Sequence, residues 1–225
     1  MIKMVVFDMA GTTVDEDNVV YKTVMQALAE AGYEFTLDQV LAEGAGKEKL
    51  QAIKTVLKVY GGVEDDAIAQ KVYDRFVVLL REAYADLAVM PQPHAVELFQ
   101  GLKQRGIQVV LNTGYNAETA EGLVKKLGWR KGQEFDQLVT ASDVTKNRPD
   151  PDMILLAMER AGIADGSHVV KVGDSIIDIQ EGQNAGCALN IGITTGAHTP
   201  EQLRSAAPDA VIDDLLELLP IVDKA

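Results

Sequence analysis

From residue 89 onward, short apolar runs alternate with amphipathic helical patterns, and this alternation restricts the chain to few folds. The runs 107–111, 138–140, 168–172 and 188–193 have the length of strands, and a helical pattern separates each from the next. A strand, a helix and a second strand in this order form a parallel pair, because the helix carries the chain back along the sheet. The sequence therefore predicts an α/β fold with a doubly wound, Rossmann-like parallel sheet.

Residues 15–87 follow a different pattern. Three amphipathic helical patterns succeed one another there with no strand between them, and a short helix is expected around 37–42. Glycine follows the last apolar position of the first two patterns, as is typical of helix ends. We predict a small α-helical cap domain over 15–87, inserted into a core domain made of 1–14 and 88–225.

The composition excludes several classes of protein. The formal net charge is −13, with 34 acidic against 21 basic residues, whereas a protein that binds nucleic acid carries clustered positive charge. The single cysteine, Cys187, suits a reducing compartment. No signal-peptide pattern and no apolar stretch of ~18 residues is present. We expect a cytoplasmic protein that has neither nucleic acid nor membrane as a partner.

A carboxylate stands directly after the first apolar run. Asp8 follows residues 2–7 and opens a turn of small residues that includes Gly11 and Thr12. In an open α/β sheet, ligands bind just beyond the carboxyl ends of the strands. Asp8 can be a nucleophile or a metal ligand there, with the backbone NH groups of the turn as oxyanion donors. The alternative for a single aspartate in such a turn is a capping role.

Three further polar segments stand at or near the ends of other predicted strands, at 111–115, 146–149 and 172–178. Together with the Asp8 turn they offer a nucleophilic carboxylate, a hydroxyl group beside NH donors, a fixed cation and two more carboxylates. Oxygen ligands of this kind suit Mg²⁺. Phosphoryl transfer requires such groups, which neutralise charge and position an in-line nucleophile.

These four motifs, in this order, resemble those of the haloacid dehalogenase superfamily, and most closely those of its phosphonoacetaldehyde hydrolase (phosphonatase) branch. The general superfamily pattern has a second aspartate two residues after the nucleophile and lysine in the third motif. This chain has Ala10 and Arg148 at those positions, as that branch does. The resemblance covers nearly the whole chain. It implies Mg²⁺ as cofactor, a small phosphorylated or phosphonate metabolite as substrate, and a homodimer formed through the cap.

The resemblance also implies a role for each motif residue. Asp8 would form an aspartyl-phosphate, Thr113 and the NH of Gly114 would hold phosphoryl oxygens, and Arg148 would neutralise charge. The backbone carbonyl of Ala10 would bind the metal, and Asp178 would lie just behind the direct ligands or reach the metal through water. The implied metal ligands are Asp8, Ala10, Asp174 and Asp178, and the expected catalytic and substrate-binding residues are Asp8, Thr113, Arg148, Gly11, Thr12, Asn112, Gly114 and Tyr115.

Alanine at position 10 restricts the chemistry. The first motif contains no acid that could protonate an alkoxide leaving group, and such help is typically worth ~10²–10⁴-fold. The phosphonatase branch uses a cap lysine that forms a Schiff base with the substrate aldehyde. Lys47, directly after a glycine-rich turn, is our candidate, with Lys49 beside it. The alternative is that both lysines are solvated first-turn residues, or that Lys47 only contacts substrate oxygens.

The sequence favours a Mg²⁺-dependent hydrolase that cleaves phosphorus from a small metabolite, with P–C cleavage of phosphonoacetaldehyde as the specific expectation. A general phosphatase for phosphate esters that tolerates Ala10 is the second hypothesis. The third is a catalytically weak binding or regulatory protein that retains the fold. Loss of metal-dependent turnover in Asp8→Asn would exclude the third.

Overall fold

The computed structural model describes residues 1–225, with the side chain of Asp86 excepted. Six parallel strands form a central sheet in the order β5-β4-β1-β6-β7-β8, and β2 and β3 form a separate antiparallel pair. The predicted doubly wound sheet is therefore confirmed. The strands are β1 (Met4–Phe7), β2 (Val14–Asp15), β3 (Met90–Pro91), β4 (Gln108–Thr113), β5 (Gln137–Thr140), β6 (Val169–Gly173), β7 (Leu189–Ile193) and β8 (Ala210–Ile212).

Helices form two groups. The first four pack on one another, whereas later helices pack against the large sheet. None of the helices in the described residues is both long and apolar enough to cross a membrane. The helices are α1 (Val19–Glu30), α2 (Leu37–Gly44), α3 (Lys49–Gly61), α4 (Asp66–Asp86), α5 (Ala95–Gln104), α6 (Ala117–Lys126), α7 (Asp152–Ala161), α8 (Ile176–Asn184), α9 (Pro200–Ser205) and α10 (Leu218–Val222).

The strands β2 and β3 join the two segments that connect α1–α4 to the sheet. Val14 pairs with Pro91 and Asp15 with Met90. Sequence analysis does not predict this pair, because two residues are too short to show the alternation of a strand. The cap boundaries at 14/15 and 87/88 stay a prediction.

The strand β1 is fully buried and lies between β4 and β6. Phe7 at its end is level with Leu111 of β4 and Val172 of β6. The residues that follow these three positions consequently reach the same edge of the sheet. The chain proceeds to β4 and β5 on one side of β1 and to β6, β7 and β8 on the other. Ligand sites of α/β sheets lie at such a reversal of strand order.

Candidate active site

Three aspartates meet at this edge of the sheet. Asp8 follows β1, Asp174 follows β6, and Asp178 lies in the first turn of α8. One carboxylate oxygen of each lies within 4.8 Å of the corresponding oxygens of the other two. All three side chains are buried. Since like charges repel strongly at low dielectric, the group requires cations close by.

Arg148 supplies one of these cations. Its Nη1 atom is 2.6 Å from Asp8 Oδ1 and 2.9 Å from Asp178 Oδ1. Its Nη2 atom donates to the backbone carbonyl of Asn112 at 2.8 Å, and the side chain is only 1% exposed. A guanidinium group stays charged even under such burial. Arg148 therefore neutralises charge on Asp8 and restricts the orientation of its carboxylate.

Sequence reasoning misses two charged members of this network, Lys171 and Glu181. The Nζ atom of Lys171 is 3.0 Å from Asp178 Oδ1 and 3.1 Å from Glu181 Oε2, and Arg148 Nε is 2.9 Å from the same Glu181 oxygen. Both residues are fully buried. The sequence contains a pattern that could have indicated each of these two residues. Lys171 interrupts the apolar run of β6, and Glu181 follows Asp178 by three residues on one helix face.

Asn112 has a structural use that differs from the expected one. Its side-chain oxygen accepts from Lys171 Nζ at 3.1 Å and from Arg148, and its amide group donates to Glu181 Oε1 at 2.9 Å. The residue has no exposed surface. A substrate contact of Asn112 stays a prediction, while in the structure its amide holds the two cations and Glu181.

The protonation equilibria show how the charges balance. Burial and the neighbouring Asp178 raise the pKa of Asp8, while Arg148 opposes the rise. Burial and Asp8 raise the pKa of Asp174 well above its usual value. Although Asp178 is buried as well, Arg148 and Lys171 hold its pKa below the usual range. Arg148 and Lys171 thus compensate the charge of Asp178 best. The uncompensated negative charge lies on Asp8 and Asp174.

The carboxylates of Asp8 and Asp174 fit a hard divalent cation. The network contains four carboxylates and only two basic groups, so a dication would bring its formal charge to zero. Asp178 is less available as a direct ligand, because Oδ1 faces both basic groups and Oδ2 accepts from Ser175. The carboxylates are Asp8, Asp174, Asp178 and Glu181, and the basic groups are Arg148 and Lys171.

Glycines shape the space around Asp174. A Cβ atom at Gly196 would lie 1.9 Å from Asp174 Oδ2, and one at Gly11 would lie 2.4 Å from the same atom. Oδ2 also accepts from the NH of Ala197 at 2.6 Å. The carbonyl oxygen of Ala10, the expected backbone ligand, accepts no hydrogen bond within the described part of the chain. The two glycines therefore leave room for the Asp174 carboxylate, and the Ala10 carbonyl has lone pairs free for a cation.

Two backbone NH groups of the turn after Asp8 are used within the turn itself. The NH of Gly11 donates to Val14 O at 2.9 Å, and the NH of Thr12 donates to Met9 O at 3.1 Å. Neither group is therefore free to serve as an oxyanion donor, because both close the turn. The Thr12 hydroxyl instead donates to Asp174 Oδ1 at 3.3 Å.

Other backbone NH groups remain available. Those of Met9, Ala10 and Gly114 donate to no acceptor among the residues that the structure describes. The Thr113 hydroxyl oxygen accepts from the NH of Tyr115 at 3.2 Å, which leaves its proton for a ligand oxygen. Met9 is a donor that sequence reasoning misses, since a side-chain motif does not report where NH groups point.

The cap approaches the core at the segment 46–49. A Cβ atom at Gly114 would lie 2.9 Å from the carbonyl oxygen of Lys47, and one at Gly46 would lie 2.4 Å from Ser175 Oγ. Close approach of the two parts thus depends on glycine at both positions. The Lys47 side chain is half-buried, and burial lowers its pKa.

Lys49, rather than Lys47, is the buried lysine, with 6% of its surface exposed. Its ammonium nitrogen lies 5.0 Å from the ring centroid of Tyr21 and 5.2 Å from that of Tyr115. Burial lowers the pKa of Lys49 to about 8, while the carboxylate of Asp8 acts in the opposite direction. The helical period could have indicated this position, because Lys49 shares the buried face of α3 with Ala52, Ile53 and Val56.

A buried glutamate lies beside this lysine. Glu16 is 3% exposed, and its carboxylate accepts from the hydroxyl groups of Tyr115, at 3.0 Å, and of Tyr84. Burial raises the pKa of Glu16 to about 7, although the two hydrogen bonds oppose the rise. Because Tyr84 belongs to α4 and Tyr115 follows β4, Glu16 links the cap helix to the second core motif.

Comparison with known proteins shows similarity to hydrolases. A family model described as haloacid dehalogenase-like hydrolase matches residues 2–186. The solved structure of a hydrolase from Pseudomonas syringae has a TM-score of 0.86 at 22% identity, covering 99% of this chain and 98% of that one. This likeness concerns the fold.

Curated relatives have two kinds of name. A bifunctional phosphonoacetaldehyde hydrolase/aminoethylphosphonate transaminase of Clostridioides difficile is 33% identical over 82% of this chain, which spans only 30% of that protein's length. The phosphonoacetaldehyde hydrolase of Bordetella pertussis is 31% identical over 82% of this chain and 70% of its own. A Dickeya dadantii protein named "Probable phosphatase IndB" is 29% identical over 97% of this chain and 93% of its own.

Proposed function

Because this chain belongs to the haloacid dehalogenase-like hydrolase family, we propose that it is a Mg²⁺-dependent phosphonatase whose nucleophile is Asp8. The proposed reaction is hydrolysis of the P–C bond of a small phosphonate with a carbonyl group, of which phosphonoacetaldehyde is the simplest. The names of the Clostridioides and Bordetella relatives support this choice of substrate.

The observation that carries the proposal is the buried amine of Lys49 in a site without an acid at position 10. An amine with a pKa of about 8 is roughly one-tenth unprotonated at pH 7, a far larger share than in an ordinary lysine, and a nucleophilic lysine needs this unprotonated form. Alanine at position 10 offers no proton to a leaving group. We therefore give Lys49 the role that sequence analysis expects of Lys47.

The proposed steps balance as follows. The Lys49 amine attacks the carbonyl carbon, and loss of water gives an imine that is protonated on nitrogen. An Asp8 oxygen then attacks phosphorus, and the electrons of the P–C bond move into the carbon–nitrogen system to form an enamine. Water hydrolyses the aspartyl-phosphate to phosphate, and the enamine takes a proton on carbon. Hydrolysis of the resulting imine releases acetaldehyde and the free amine of Lys49.

The surrounding groups position this chemistry. Arg148 holds Asp8 Oδ1 at 2.6 Å, so Oδ2 is the oxygen proposed to attack phosphorus. The NH groups of Met9 and Gly114 and the Thr113 hydroxyl are proposed to bind phosphoryl oxygens. Asp8, Asp174 and the Ala10 carbonyl would hold Mg²⁺, which supplies charge neutralisation for the phosphoryl group when bound.

The experiment is phosphate release from phosphonoacetaldehyde in wild type, Asp8→Asn, Lys49→Arg and Lys47→Arg. Arginine keeps the positive charge but cannot form the imine. We expect loss of at least about 10³-fold in Asp8→Asn and Lys49→Arg, since each would remove a covalent step. Lys47→Arg is the matched control, two residues away on the same segment, and is expected to retain the imine chemistry.

Borohydride distinguishes imine formation from simple electrostatics. With phosphonoacetaldehyde present, reduction should inactivate the wild type and leave an alkyl adduct on the peptide that carries Lys49. Trapping on Lys47 would return the role to that residue. Phosphate release without trapping on either lysine would contradict the imine mechanism.

A general phosphatase is the second candidate, which the Dickeya dadantii relative supports because it matches nearly the whole chain. The lack of an acid at position 10 predicts slow turnover of phosphate esters, by ~10²–10⁴-fold relative to an enzyme that has one. Faster turnover of a phosphate ester than of phosphonoacetaldehyde would favour this candidate. The homodimer through the cap stays a prediction, which sedimentation would test.

A further inference from the structure

A cavity of about 350 Å³ lies between the cap helix α4 and the core helix α6. Phe76 and Leu80 of α4 line one wall, and Leu123 of α6 lines the other. The volume falls at the lower end of the range of small-molecule sites, which are mostly apolar with a few polar groups. We call this cavity the α4–α6 cleft.

The cleft adjoins the proposed catalytic groups. Lys49, Gly114 and Tyr115 form part of its lining. Gly114 carries one of the available NH groups, and the Lys49 ammonium faces the Tyr115 ring at 5.2 Å. A carbonyl carbon bound to Lys49 would therefore lie beside the cleft. In an aldehyde that carbon bears only hydrogen on its far side, so phosphonoacetaldehyde would leave the cleft unfilled.

The outer side of the cleft is crossed by weak contacts. Arg81 of α4 and Glu118 of α6 form an ion pair at 3.3 Å, and their side chains are 70% and 80% exposed. An exposed pair of this kind contributes only about 0–1 kcal/mol. This ion pair can consequently break at little cost when a ligand enters.

Gly122 keeps one wall of the cleft open. It lies within α6, where glycine is less favourable than alanine, and a Cβ atom there would meet no heavy atom within 4 Å. Its backbone does not need a left-handed conformation. No local constraint on the helix explains this glycine, which is exposed and forms part of the cleft lining.

We propose that the α4–α6 cleft binds an unbranched alkyl arm on the carbonyl carbon of the substrate, so that the preferred substrates are 2-oxoalkylphosphonates. This inference rests on the proposed function. The atoms balance as for the aldehyde: a ketimine forms with Lys49, phosphorus passes to Asp8 and then to water, and the products are phosphate and a methyl ketone.

The first test measures binding without catalysis. Dissociation constants of n-alkylphosphonates from methyl to hexyl are measured by calorimetry on the Mg²⁺-loaded full-length protein. Burial of each further methylene beyond ethyl is expected to tighten binding about fourfold. Equal affinities for ethyl- and hexylphosphonate in wild type would overturn the proposal.

Two variants of α6 locate the effect. Gly122→Leu places a side chain in the cleft and should reduce the hexyl-to-ethyl affinity ratio to within about threefold of unity. Glu121→Leu adds the same side chain at the neighbouring position, which does not line the cleft, and should keep the wild-type ratio. An unchanged ratio in Gly122→Leu, with a thermal melt that shows a folded protein, would overturn the proposal.

Turnover separates this inference from the proposed function. If both hold, kcat/KM rises with chain length for 2-oxoalkylphosphonates, and Gly122→Leu removes the rise. Chain-length-dependent binding without any P–C cleavage would refute the proposed function and support the cleft. Hydrolysis of phosphonoacetaldehyde together with chain-length-independent binding would support the function and overturn the cleft proposal.

Discussion

Replacing Glu16 by glutamine is expected to stabilise the protein at pH 8 and to change its stability at pH 5 by at most about 1 kcal/mol. The pKa of Glu16 is about 7 in the fold against 4.5 for an unburied glutamate. Between these values the folded state binds more protons than the unfolded state, so the free energy of unfolding falls as the pH rises from about 4.5 to about 7. This difference between the two pKa values corresponds to about 3 kcal/mol in the free energy of unfolding. The protein loses this stabilisation as the pH rises, and the loss is complete above about pH 7.

Glutamine has nearly the shape of the protonated side chain and can accept from Tyr84 or Tyr115, so it should avoid this loss. The gain in the free energy of unfolding at pH 8 is at most about 3 kcal/mol. It is not larger because the variant lacks the negative charge of Glu16, which stabilises the ammonium group of Lys49. For a chain of this length it corresponds to a rise in Tm of roughly 6–12 °C.

The assay is urea denaturation of wild type and Glu16→Gln at pH 5, 6, 7 and 8, followed by circular dichroism. Glu64→Gln is the control, since Glu64 is 69% exposed in its pair with Lys58 and should change stability by at most about 0.5 kcal/mol at every pH. A difference between Glu16→Gln and wild type that stays flat from pH 5 to pH 8 would refute the reasoning.

Three further predictions concern the core of the site. Lys171→Met leaves Glu181 with Arg148 alone, and should cost about 3–5 kcal/mol in denaturant unfolding, against at most about 1 kcal/mol for Lys103→Met in a partly exposed pair. Millimolar Mg²⁺ should raise the Tm of the wild type, by an amount that chelator reverses, because binding to the folded state adds RT ln(1 + [L]/Kd). Gly196→Ala should weaken Mg²⁺ binding at least about tenfold in a thermal-shift titration, since its Cβ atom would displace the Asp174 carboxylate; an unchanged midpoint would contradict that reading.

Strand periodicity and the order of motifs are local properties that can be recognised in the sequence alone. From them the sequence predicts the parallel sheet, the residues at its edge and the position of the helical segment. β1 is one apolar run with Asp8 at its end, and any parallel sheet brings that end to the same edge as the ends of its neighbours. The short strands β2 and β3 were beyond such reasoning, because two residues do not establish a period.

The tertiary structure decides which of several equivalent residues face the site. Lys47 and Lys49 look alike in sequence, yet only Lys49 lies on the buried face of α3, and packing of that helix lowers the pKa of its amine. The NH group of Gly11 closes a turn, whereas the NH group of Ala10 stays available for a ligand. This difference depends on the hydrogen-bond partners that the fold supplies and not on residue type. The pairing of Lys171 with Glu181 likewise joins a strand to a helix that only the fold brings together. Sequence fixes local periods and chemical types, whereas burial, charge balance and the α4–α6 cleft arise from contacts between residues distant along the chain.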